Sequence, residues 1–197
     1  MLNHERQETE DGFEMTLQCN HLGHFLLTNL LLDKLKEAPK ARIVNVSSIG
    51  HKWSKLDLSD LNYIARKFDG MVVYYDTKLI NILFTNELAR RLQDTNVTSY
   101  VLHPGVIESE FWRNHSKLHW YWFWFVDFTF WLIKKMFMKN SWQGAQTTIY
   151  CAVDESLDGI SGKYYSDCSE AKVGHPMAKD ENAAKELWEM SSKMVQL

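Results

Sequence analysis

None of the nine glycines forms the glycine-rich turn between a strand and a helix that cradles a pyrophosphate, so no phosphate cradle of that kind is expected within these residues. Cysteine is scarce. Cys19, Cys151 and Cys168 are far apart and show no Cys-x-x-Cys spacing, which argues against a zinc site or a disulfide framework and for a reducing, intracellular compartment. Positive charge is neither in excess nor gathered: the net charge is -3 and Lys and Arg are scattered among Asp and Glu, which excludes a nucleic-acid partner. Residues 1–14 carry neither a basic nor an apolar leader segment, so no signal peptide or N-terminal membrane anchor is expected in this sequence. There is no internal repeat and no low-complexity tract. What remains is 197 residues, 45% hydrophobic, enough for one core and one domain spanning 1–197.

Apolar residues at helical spacing predict a long helix from about Gly12 to Lys36, closed by Pro39. The run Ala41-Arg42-Ile43-Val44-Asn45-Val46-Ser47-Ser48, stopped by Gly50, predicts a strand buried on both faces of a parallel sheet. A polar stretch follows, with a short helical piece around Leu56 to Ile64. Val72 to Asp94 reads as an amphipathic helix, and Val97 to Leu102 as a second buried strand ended by His103-Pro104-Gly105. Ser141 to Val153 reads as a helix, Gly159 to Ser166 as a short strand and Asp180 to Val195 as a terminal helix. This alternation predicts an α/β fold with a Rossmann-like parallel sheet flanked by helices. One stretch departs in composition: about 111–137 is dense in Trp, Phe and Tyr.

Tyr74 and Lys78 stand four apart on one helical face, and Ser48 ends a predicted strand, where open parallel sheets place ligands. A phenol ionises near pH 10 and exchanges protons poorly at neutral pH unless its anion is stabilised. A lysine one turn on supplies that stabilisation, and its remaining N–H donors can hold a sugar hydroxyl. On spacing alone the pair reads rather as a half-buried aromatic and a solvated charge, and Ser48 by itself as a cap or turn former. Asn20 lies inside the apolar first helix, where an amide bends the helix and can hold a water, or simply faces solvent. His21 and His24 lack metal-ligand spacing and read as structural. Pro104-Gly105 lets backbone approach a ligand closely, or is only a turn.

Together, Asn20-His21-Leu22-Gly23-His24-Phe25-Leu26-Leu27-Thr28, Arg42-Ile43-Val44-Asn45-Val46-Ser47-Ser48, Tyr74-x-x-x-Lys78-Leu79-x-Asn81 and His103-Pro104-Gly105-Val106 resemble the short-chain dehydrogenase/reductase superfamily, most closely its retinol dehydrogenase branch. The resemblance implies Tyr74 as catalytic acid/base, Lys78 as its pKa-lowering partner and ribose ligand, Ser48 as the hydroxyl orienting the substrate oxygen, and Asn20 as the holder of a relay water. Pro104, Gly105, Ile107 and Ser109 match the family's cofactor loop, with Ser109 at the nicotinamide carboxamide. Thr77 stands where the family usually has Ser.

The resemblance further implies NADP(H), with NAD the alternative, and an apolar alcohol or aldehyde substrate such as retinal or another lipid aldehyde. Pairing of two copies through the long helices is implied as well. Met1 aligns after the family's Gly-rich turn and Asn-Asn-Ala-Gly strand, so an N-terminally truncated domain is expected. An inactive binding or dimerising remnant is the alternative. The aromatic segment 119–128 falls in the family's substrate region and reads as a lid, a membrane-surface contact or a structural patch; it is shorter than the roughly 20 residues that span a bilayer. A cytoplasmic or endoplasmic reticulum membrane-associated location follows.

Overall fold

The computed structural model describes residues 1–107 and 138–197. The helix expected from Gly12 is built in three pieces: α1 (Met15–Leu17), a π-helical turn (Gln18–Leu22) and α2 (Gly23–Glu37). Glu14 starts it, its carboxylate accepting the Leu17 N–H at 2.7 Å. β1 (Ala41–Val46) follows, then 3-10 turns at Ile49–Trp53 and Leu58–Asp60 in place of the helical piece expected near 56–64. The chain continues through α3 (Gly70–Arg91), β2 (Val97–His103), α4 (Ser141–Val153), β3 (Lys163–Ser166), β4 (Ser169–Glu170) and α5 (Glu181–Met194). Side-chain caps mark the starts: Asp69 accepts from Met71 N, Asn140 and Gln143 form a capping box, and Asp180 accepts from Asn182 N.

The sheet order is β1-β2-β3-β4, parallel except for the final β3–β4 hairpin, which the sequence did not reveal. Strand alternation divides the core into two layers. Val101 and Tyr164 face α3 and α5, where Leu79, Ile80, Ile82, Leu83, Ala184 and Leu187 pack. Tyr100, Leu102 and Tyr165 face the other way, onto Cys151 of α4 and Leu157. The result is a helix–sheet–helix sandwich, and the α/β expectation holds.

Two expectations are corrected. β1 is only half-buried, and Val46 is 40% exposed, because among the described residues it has a neighbour strand on one side alone. α3 is not amphipathic in the expected sense: it is buried on nearly all sides, the sheet covering one flank and α5 and the 49–53 turn others. α2 behaves oppositely. Of its residues only Phe25 is buried, while Leu27, Leu30 and Leu31 are 57%, 65% and 45% exposed.

Asp76, fully buried on α3, organises the loop 54–66. Its Oδ1 accepts from Ser54 Oγ and Lys55 N, both at 2.7 Å, and its Oδ2 from Tyr63 Oη and Arg66 Nη2, both at 3.2 Å. Burial raises the Asp76 carboxyl pKa, and these donors, led by Ser54, pull it back down. The network holds the loop against the flank of α3 that faces away from Tyr74 and Lys78, since residues two apart on a helix point apart.

Candidate active site

The carboxyl ends of β1 and β2 lie side by side, Val46 opposite Leu102, and the residues singled out from sequence gather there. Ser48 is extended and caps the 49–53 turn, its Oγ accepting the Gly50 N–H at 3.2 Å. The Ser48 side chain lies close enough to the Tyr74 hydroxyl to favour its anion. Lys78, one turn along the same face of α3, holds its Nζ 5.4 Å from the centre of the Tyr74 ring and donates to the Val46 carbonyl at 3.3 Å. Phenol, hydroxyl and ammonium therefore converge.

Burial dominates the electrostatics. It pushes the Tyr74 phenol above its usual value, against the downward pull of the nearby Ser48 side chain. It also lowers the Lys78 amine to about 8. The direction at Tyr74 is opposite to the one Lys78 alone would give; the ammonium lies over the ring face and donates to a backbone carbonyl.

Asn20 sits within the π turn, buried, its amide donating to Thr77 Oγ1 at 3.1 Å and to the Met1 carbonyl at 2.9 Å, while its Oδ1 accepts from the Met1 amino group at 2.7 Å. Thr77 in turn donates to the Tyr74 carbonyl at 2.8 Å, so the hydroxyl where the family usually has Ser links Asn20 to the turn carrying the phenol. A π turn at such a place is a frequent companion of functional sites.

Pro104 and Gly105 follow β2 directly, and Gly105 takes φ +94°, where a Cβ would meet the Lys139 side chain at 2.7 Å. They lie beside Ser48, because the ring of His103 accepts the Ile49 N–H at 3.2 Å. Ile107 packs on Gly144 of α4, whose own Cβ would fall 2.3 Å from an Ile107 methyl. Ser109 and the aromatic segment 111–137 lie outside the described residues.

Sequence reading missed the stitches that hold this arrangement. Ser47, buried, donates to the Lys78 carbonyl at 2.7 Å, and Asn81 donates to Val46 O at 3.2 Å. The available signal was polarity where a helix or strand should be apolar, as at Asn81 three residues past Lys78. His21 and His24 are structural as expected: His21 is buried against Ser191 Oγ at 2.8 Å, and His24 bonds the Asn20 carbonyl at 3.1 Å.

Burial holds His21 at about 3 and His103 at about 4, both from an ordinary 6.5. Both are neutral when folded, so their contribution to stability is complete above pH 6.5 and is lost as pH falls toward 4 and below. Urea midpoints are expected to fall as pH drops below about 6.5, each imidazole adding a slope of about 1.4 kcal/mol per pH unit. A flat profile down to pH 5 would contradict this.

Residues 2–119 match the family model described as short chain dehydrogenase. The chain belongs to that family. It is 45% identical over 191 residues to Retinol dehydrogenase 11 of Homo sapiens, covering 96% of this chain and 56% of that protein. Identity to Retinol dehydrogenase 14 of Homo sapiens is 46%, over 96% of this chain and 54% of that protein. The chain thus spans just over half the length of these relatives. An uncharacterized protein from Mycobacterium Paratuberculosis has the same fold at a TM-score of 0.71 and 28% identity, over 100% of this chain and 64% of that one. ElxO with NADP bound shares the fold at a TM-score of 0.53 and 16% identity, over 83% of this chain and 61% of that one.

Proposed function

We propose that this protein is an oxidoreductase of the retinol dehydrogenase type, interconverting an apolar alcohol and its aldehyde with a nicotinamide nucleotide, NADP(H) by preference. One observation carries the reading: the Ser48 side chain stands beside the Tyr74 phenol and favours its anion, while the Lys78 ammonium lies 5.4 Å from the same ring. Assembled proton-transfer groups favour an enzyme over a binding remnant.

The donor set fits the nicotinamide end of such a cofactor. Lys78 carries three N–H donors and donates one to Val46 O, leaving donors for vicinal sugar hydroxyls. Gly105 at positive φ brings backbone close without a side chain in the way. Pro104, Ile107 and Ser109 belong to the same proposed cofactor loop. A bound nicotinamide exchanges a hydride with the carbonyl carbon. In reduction, the Ser48 and Tyr74 hydroxyls donate to the substrate oxygen, and Tyr74 releases its proton to that oxygen as charge develops there. Lys78 stabilises the phenolate that remains, and Asn20 is the polar end of the path by which the proton is replaced.

Retinoid or other lipid aldehydes are the substrate class, and the aromatic segment 119–128 suits an apolar lid or a membrane surface. Among the described residues no helix is long and apolar enough to cross a membrane. The outward leucines of α2 support pairing of two copies. The three cysteines are free, which fits an intracellular setting.

The test uses the eight tryptophans as reporters. Saturable quenching by NADPH at micromolar concentration, with oxidation of NADPH on adding retinal or a long-chain aldehyde, is the expected result. No quenching up to millimolar nucleotide, or no turnover of either aldehyde class, would overturn the reading.

A further inference from the structure

One buried group at the end of β1 takes no part in the proton transfer. His51 has no exposed surface, and both of its ring nitrogens are engaged. Nδ1 lies 2.6 Å from the Ser48 carbonyl oxygen, and Nε2 lies 3.1 Å from the Gly174 amide nitrogen. A carbonyl can only accept and an amide N–H can only donate. The two partners therefore fix one species: a neutral imidazole with its proton on Nδ1, donating to Ser48 and accepting from Gly174.

Packing holds the ring in that pose. Tyr164 of β3 meets it edge-on at 5.3 Å between ring centres. Gly174 lies so close to the 49–53 turn that a Cβ there would stand 2.7 Å from the Lys52 stem. Burial, aided by Lys52 and His175, keeps the ring neutral against the pull of the Ser48 carbonyl. The imidazole thus ties the Ser48 peptide to the segment that leaves β4 toward α5.

We propose that His51 is a positioning residue for Ser48, clamping the Ser48 peptide to the Val173–His175 segment so that the Ser48 hydroxyl stays aimed at Tyr74. The inference rests on the proposed dehydrogenase reading for its consequence in turnover. Its geometric content stands apart: the direction of the Ser48 side chain follows from its peptide, and a misplacement of about 1 Å in such a site costs on the order of 100-fold in rate.

Two substitutions separate the two ends of the clamp. Asparagine puts an N–H close to the place of Nδ1 and keeps the donor to Ser48, whereas glutamine reaches to the place of Nε2 and keeps only an acceptor for Gly174. Nitrogen-15 NMR of the parent ring is expected to report the Nδ1–H tautomer. Tyr74 ionisation, followed by carbon-13 labelling of the phenol, is expected to rise by about half a unit or more in His51→Gln and in Ser48→Ala, because the Ser48 side chain favours the phenolate. His51→Asn, which lets go of Gly174 alone, should raise it by less.

With aldehyde and NADPH, kcat should fall about 10- to 100-fold in His51→Gln at nearly constant KM, and less than about threefold in His51→Asn. An Nε2–H tautomer in the parent, or Tyr74 ionisation unchanged in His51→Gln, would overturn the clamp. If the ionisation shifts appear but no form of the protein turns over aldehyde, the clamp stands and the dehydrogenase reading falls.

Discussion

Tyr74→Phe is expected to lower aldehyde turnover by about 10²- to 10⁴-fold, the range of a lost general acid–base group, with nucleotide quenching of tryptophan fluorescence changed less than about twofold. Phenylalanine keeps the ring beneath Lys78 and removes only the hydroxyl beside Ser48, so the loss appears in kcat rather than in KM. The aldehyde turnover proposed for the parent protein should also fall as pH rises through about 8, because burial holds the Lys78 amine there and only its ammonium form steadies a phenolate. Tyr74→Phe retaining a third or more of parental kcat would remove Tyr74 from the reaction.

The second large effect lies on the opposite flank of the same helix. Asp76→Ala is expected to cost about 3–5 kcal/mol, seen as a melting temperature roughly 10 °C lower, because it strips a buried network of the carboxylate at its centre. Four donors, from Ser54, Lys55, Tyr63 and Arg66, point at that one carboxylate. Asp76→Asn keeps an acceptor for Ser54 and Lys55 and should lose about half as much. Calorimetry of the two variants checks both the size and the order; a shift below about 2 °C for the alanine variant would show that the loop 54–66 is held by something else.

Tyr74, Lys78, Ser48 and Asn20 stood out through the ordered motifs that resemble the family, since the spacing of Tyr74 and Lys78 is a weak signal by itself. The two main strands could be read from local pattern: Ala41–Val46 and Val97–His103 are short, largely apolar runs with abrupt stops. What stayed hidden depends on long-range neighbours. The exposure of β1 is decided by which strand lies beside it, and the burial of α3 by α5, a hundred residues on in the chain. The β3–β4 hairpin turns through Asp167 and Cys168, both at positive φ, a conformation neither residue advertises in sequence. His51 looked like one polar residue in a polar stretch; only Gly174, brought back from far along the chain, shows what it holds.

The π turn at Gln18–Leu22 gives the first helix one residue more than an α-helical path would need. Length, rather than identity, then becomes the sensitive variable there. Deleting a single residue from that turn lets the rod regularise into α-helix, the segments on either side keeping their facing and only the residues inside the turn being re-aimed. Asn20 would swing off Thr77 although no functional side chain had been replaced. Substitution scans are blind to this dependence, whereas one-residue deletions and insertions would expose it directly.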